Sequence, residues 1–206
     1  MTLTLTWEAL NIIGTLAFAI SGALVAMEED YDILGVFVLG VVTAFGGGLI
    51  RNLLIGIPLE IIWNQEVLFG VAVLAISIVF ILPSKWIRKW QMWVILFDAI
   101  GLGAFAIQGA NYAVSIQAPF VAVIIAATLT GTGGGMLRDL LAGRKPMIFQ
   151  KEIYALWAIL GGLVIGLNLI EGPYTIFILL PVIVILRMLS VYFNWNLPRE
   201  FKWNDK

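Results

Sequence analysis

The chain repeats itself. Shifted by 87 positions, NIIGTLAFAISGA (11–23) falls on DAIGLGAFAIQGA (98–110), with eight of thirteen residues identical. At the same shift GGGLIRNLLIG (46–56) falls on GGGMLRDLLAG (133–143), with seven of eleven identical. The matches include Gly, Arg and Phe at fixed places, so shared hydrophobicity does not account for them. Each copy must therefore fold into the same unit.

Composition decides how the copies are related. Of the 206 residues, 61% are hydrophobic and 12% charged. A soluble domain is about 45–50% apolar and about 25% charged. A chain this short cannot bury so much apolar side chain in water, so its solvent is lipid. That excludes a soluble enzyme and a disordered regulator. A net charge of −1 leaves no basic surplus for phosphates, so no nucleic-acid partner is expected. The absence of Cys and His removes the thiolate and the commonest general base and metal ligand. No Walker A, G-x-S-x-G or H-E-x-x-H string occurs. No enzyme, cofactor or metal is expected.

A membrane helix needs about 20 mostly apolar residues. The sequence predicts seven, at Trp7–Met27, Ile33–Gly56, Val67–Leu82, Met92–Tyr112, Pro119–Gly143, Ile153–Ile170 and Tyr174–Trp195. Three fall in each copy (1–91 and 92–172), and the seventh lies in 173–206. Three is odd, so the second copy starts on the opposite side of the bilayer. The expectation is an all-α polytopic membrane protein of two inverted three-helix repeats plus a seventh helix. That architecture belongs to transporters and channels, with the pathway at the repeat interface. Ala17-Phe18-Ala19 resembles a signal-peptide cleavage site, but no Lys or Arg precedes Arg51, so the first span reads as retained.

Lys and Arg set the orientation. One side of a seven-span chain holds only Arg51. The other holds Lys85, Arg88, Lys89, Arg138, Arg144, Lys145, Lys151, Arg187, Arg199, Lys202 and Lys206. The N-terminus is predicted outside and the C-terminus in the cytoplasm. The acidic run at 28–32 then reads as a solvated turn or a cation-attracting vestibule.

Candidate site residues cluster around the glycine triplets, Gly46-Gly47-Gly48 and Gly133-Gly134-Gly135. Each Gly costs a helix about 1 kcal/mol relative to Ala, so a kink or break lining a pathway is expected. Close helix packing is the alternative. Arg51 and Arg138 follow their triplets by three residues. Either they lie inside the bilayer as functional charges, or they snorkel to the headgroups. Asp98 and Asp139 stand where the first copy has Asn11 and Asn52. A salt bridge from Asp98 to Arg138 is expected, or Asp98 orients the start of its span. Arg51 should find water, a carbonyl or an acid from the other copy. Thr43 and Thr130 can bond carbonyls one turn back. Phe18 and Phe105 are either packing residues or a gate.

GGGLIRNLLIGIP and GGGMLRDLLAGRKP, preceded by IGTLAFAISGA and AIGLGAFAIQGA, resemble the prokaryotic members of the trimeric intracellular cation (TRIC) channel family. The same bacterial family is also labelled a putative glycine transporter. The resemblance implies a homotrimer in a prokaryotic plasma membrane. It implies a pore in each subunit, lined by helices 2 and 5 bent at the triplets, with Arg51 and Arg138 at the pathway. The permeant ion would be monovalent, chiefly potassium, with bound lipid a further candidate partner. A secondary transporter of glycine or another small zwitterion uses the same parts and is the alternative. A non-transporting scaffold would leave the matched arginines unexplained.

Overall fold

The computed structural model describes residues 2–82, 90–149, 153–170 and 174–198. Among these are seven α-helices: α1 (Thr2–Glu28), α2 (Ile33–Ile55), α3 (Glu66–Ile81), α4 (Trp90–Ser115), α5 (Phe120–Leu141), α6 (Ala155–Gly166) and α7 (Tyr174–Tyr192). Lys85, Arg88, Lys89, Lys151, Arg199, Lys202 and Lys206, used above for orientation, lie outside the described residues.

Large apolar side chains cover the outside, and several charged side chains within the helices are buried in a largely apolar interior. Leu53, Leu74, Ile81, Val121, Leu140 and Phe177 are exposed, while Arg51, Asp98, Arg138, Asp139 and Arg187 are buried. That inversion suits lipid, where burial against protein is the favourable place for a polar group.

α1, α2, α4, α5 and α7 are long and apolar enough to cross a membrane. α2, with 23 residues, reaches about 34 Å at 1.5 Å per residue, against a hydrocarbon core of about 30 Å. The seven expected helices are all present among the described residues; these five meet the length for a span, and α3 and α6 are shorter apolar helices. α3 has 16 residues and α6 has 12, or about 24 and about 18 Å. Of the stretch expected to span from Ile153 to Ile170, only Ala155–Gly166 is helical. Asn168 adopts a left-handed backbone (φ 53°) and turns the chain away.

Local structure repeats at the same shift as the sequence. α2 stops at Gly56 (φ 71°), and Gly143 (φ 69°) follows α5. Both are left-handed positions where Gly carries no Cβ penalty. The amide of Ile57 closes onto the Asn52 carbonyl, and that of Arg144 onto the Asp139 carbonyl. The turns after α1 and α4 likewise match, with Asp30 and Gln117 left-handed (φ 55° and 54°).

α1 and α4 pack antiparallel through Trp7–Tyr112, Asn11–Gln108, Gly14–Phe105 and Phe18–Gly101, the second number falling as the first rises. α2 and α5 cross at their triplets. These four helices form the centre. α3 lies against α1 and α2, α6 against α4 and α5, and α7 against α4 and α6. At one corner Arg144 pairs with Glu28 (3.0 Å) and Glu29, and the Tyr31 hydroxyl donates to the Leu141 carbonyl (2.8 Å). Burial lowers the Arg144 pKa, but bonds to Glu29 and Glu28 outweigh it, so the net shift is upward. Part of the acidic run thus ties the α1–α2 turn to the end of α5.

Candidate functional site

The triplets do not break their helices. α2 and α5 each run as helix without interruption across them, which corrects the expected break. The physical reason is contact. A Cβ on Gly47 would lie 2.2 Å from the Thr130 carbonyl oxygen, and one on Gly134 would lie 2.2 Å from the Thr43 carbonyl oxygen. A Cβ on Gly46 would meet Leu137 at 2.5 Å, and one on Gly133 would meet Ile50 at 3.0 Å. These pairs exchange under the shift of 87. The glycines bring two backbones together, as small residues do in membrane helix pairs. Dispersion across that contact offsets their poor helix propensity.

The third glycine of each triplet faces a polar site. Gly135 lies beside Tyr154, Asp98 and Arg138. Arg138 is wholly buried. Its Nη1 donates to Asp98 Oδ1 at 2.7 Å and to the Ser21 hydroxyl, and its Nε donates to Asp139 Oδ1 at 2.8 Å. Asp139 Oδ2 accepts from the Met147 amide at 3.0 Å. The expected Asp98–Arg138 pair is present, and Arg138 does not snorkel. Tyr154 packs beside the cluster with Arg187 over its ring at 4.9 Å. Arg187 is buried inside α7, which corrects its use above as an ordinary orientation charge. Two arginines and two aspartates make this cluster neutral.

Gly48 faces the other site. Arg51 is 4% exposed. Its Nε and Nη2 both donate to Asn52 Oδ1, at 3.0 and 2.8 Å, and its guanidinium sits 4.0 Å from the centre of the Tyr112 ring. Its Nη1 has no partner among the described residues. Among the same residues, no carboxylate reaches ion-pairing distance of Arg51. The acid from the other copy that the sequence left open is not found there. The Gln108 amide nitrogen donates to Asn11 Oδ1. Asn11, Thr15, Gly48, Arg51, Asn52, Gln65, Phe105 and Gln108 help line a cavity of about 30 Å³, room for two or three waters at about 10–15 Å³ each.

The two sites are built from equivalent positions. Arg51, Asn52, Asn11 and Gln108 correspond under the shift to Arg138, Asp139, Asp98 and Ser21. Along α1, Asn11 and Ser21 are about 15 Å apart. Between them Phe18 and Phe105 meet edge to face at 5.3 Å. Each ring fills the space opposite a glycine of the other copy, Gly101 for Phe18 and Gly14 for Phe105. Thr43 and Thr130 bond the carbonyls of Leu39 and Ala126 one turn back, and their hydroxyls face Gly22 and Gly109. Sequence reasoning did not single out Ser21, Gln108, Tyr112, Tyr154 or Arg187. Ser21 and Gln108 did carry a signal, since they are, beside Asn11 and Asp98, a polar mismatch inside the first aligned segment.

A family model described as glycine transporter matches residues 8–84 and again 95–168. The chain is 56% identical over 200 residues to the UPF0126 membrane protein YvgT of Bacillus subtilis (strain 168), covering 97% of this chain and 99% of that one. Among solved structures it resembles a prokaryotic TRIC channel crystallised in 0.5 M KCl. The TM-score there is 0.85 and the identity 36%, over 94% of this chain and 100% of the other. It also resembles the TRIC trimeric intracellular cation channel orthologue from Rhodobacter sphaeroides, with TM-score 0.74, 32% identity, and coverage of 91% and 98%.

Proposed function

The chain belongs to the glycine transporter family, whose structural relatives are prokaryotic TRIC channels, and from that premise we propose that it is a potassium-conducting channel. The observation that carries the reading is the layered centre of the molecule. Two equivalent buried arginine sites, one beside each triplet, lie on either side of the packed Phe18–Phe105 pair. A route between the two faces of the membrane would pass one site, the aromatic layer, and the other site. The layer is closed in this conformation, and conduction requires it to part. The arginines would repel a permeant cation if left bare. Asp98 and Asp139 neutralise one of them, which makes that site a counter-charge element.

The two halves are, on this reading, an inverted repeat. The antiparallel pairing of α1 with α4 and the reciprocal glycine contacts of α2 with α5 support it. We place the protein in the plasma membrane of a prokaryote, N-terminus outside, as a homotrimer with one pathway per subunit. The trimer rests on the likeness to the TRIC trimeric intracellular cation channel orthologue from Rhodobacter sphaeroides.

Planar-bilayer recording of the purified protein under a potassium gradient tests the proposal. Discrete currents reversing near the potassium equilibrium potential are expected. Electrically silent bilayers, together with saturable glycine uptake by liposomes from the same preparation, would replace the channel with a transporter. Phe105→Ala should increase the open probability or unitary current, since Phe105 forms half of the closed layer. Unchanged currents there would reduce the pair to packing.

A further inference from the structure

The second copy surrounds its arginine with carboxylates, while the first surrounds Arg51 with amides and a cavity. We propose that this cavity is a binding site for a small monovalent anion, a halide or a single carboxylate group, which neutralises Arg51 as Asp98 and Asp139 neutralise Arg138. The inference does not depend on which ion the protein conducts.

Charge is the first consideration. An isolated charge inside a membrane protein is costly, and buried charges are held by pairing and hydrogen bonding. Arg138 is paired with two carboxylates and a hydroxyl, although its Nη2 and Asp98 Oδ2 make no hydrogen bond among the described residues. Arg51 is almost as enclosed, yet it has one neutral amide oxygen, one aromatic face and an unpartnered Nη1.

The wall chemistry favours an anion over a cation. The carbonyl oxygen of Asn52 is taken by Arg51, and that of Asn11 by Gln108. Both amides keep their N–H donors for the cavity, which Gln65 and Gln108, each with an amide oxygen, also line. Thr15 adds a buried hydroxyl, and Arg51 Nη1 adds a charged donor at the same cavity. A cation would meet the guanidinium's repulsion, and among the described residues no carboxylate pairs with Arg51 to offset it. The size of the cavity, about 30 Å³, suits an ion comparable to a few waters and excludes a bulky organic anion.

The test compares the thermal midpoint of the purified protein in detergent at constant potassium, with gluconate, chloride, bromide or gluconate plus glycine. Chloride and bromide should raise the midpoint over gluconate by about 2–4 °C and saturate. Asn52→Asp supplies the missing carboxylate from the chain itself, and Arg51→Gln removes the charge that needs it. Both should lose the anion dependence, and Asn52→Asp in gluconate should match or exceed the wild type in chloride. A shift with glycine and none with halide would assign the anionic group to an amino-acid carboxylate. Equal midpoints of the wild type in all four media would overturn the proposal. So would an undiminished dependence in Asn52→Asp, which would mark a generic salt effect. If either variant fails to fold, wild-type crystals grown in bromide decide. An anomalous peak within hydrogen-bonding reach of Arg51 Nη1 supports the site, and its absence removes it.

Discussion

Replacing Asp98 by asparagine is expected to lower the thermal midpoint by on the order of 10 °C and to change channel gating. Asp98 and Arg138 are both wholly buried and 2.7 Å apart. Removing one partner of a buried pair leaves an uncompensated charge, at a cost of about 3–5 kcal/mol. For a chain of this length each kcal/mol moves the midpoint by about 2–4 °C. Asp139 remains on Arg138, which argues for the lower part of that range. The functional effect follows from the same change of charge. The cluster of Arg138, Arg187, Asp98 and Asp139 goes from neutral to a net positive charge, and a cation passing it meets repulsion that was absent before. A midpoint and current both equal to the wild type would remove Asp98 from the pathway.

Much of this site is legible in the sequence because the repeat doubles every signal. Gly, Arg and Phe at matched positions picked out the triplets, both arginines and the two phenylalanines, and the Asp/Asn mismatches picked out both carboxylates that pair with Arg138. What escaped did so for physical reasons. Three glycines read as a helix kink or break because propensity is a local quantity, whereas the contact between α2 and α5 across the continuous helices is tertiary. Arg187 sits in α7, which has no counterpart in the repeat, so nothing set it apart from ordinary basic residues. Tyr154 lies just before α6, where the alignment has no identities to guide the eye. The extent of α6 was overread because hydropathy continues through Leu167 and Leu169, although the backbone turns at Asn168.

The crossing itself yields the second large effect. Gly47→Ala should destabilise the fold by about 1–3 kcal/mol or more, and Gly47→Leu should abolish assembly or flux. The added Cβ would lie 2.2 Å from the Thr130 carbonyl oxygen. That atom belongs to backbone inside α5, so no side-chain rotation relieves the clash and the two helices must separate. Separation exposes the neighbouring contacts of Gly46 with Leu137 and Gly133 with Ile50, and it loosens the seat of Phe18 against Gly134. Gly134→Ala should cost a similar amount, since its Cβ would meet the Thr43 carbonyl at the same 2.2 Å. Gly48→Ala is the control within the same triplet. Its Cβ would have only Arg51 Nη2 nearby, at 3.8 Å, so it should leave stability close to wild type while changing the polar cavity. Propensity alone predicts the opposite, because replacing any helical glycine by alanine should stabilise by about 1 kcal/mol. Thermal midpoints of the three alanine variants therefore decide between them. If all three rise together, the triplets act through local flexibility, and if Gly47→Ala and Gly134→Ala fall while Gly48→Ala does not, they act through the α2–α5 contact.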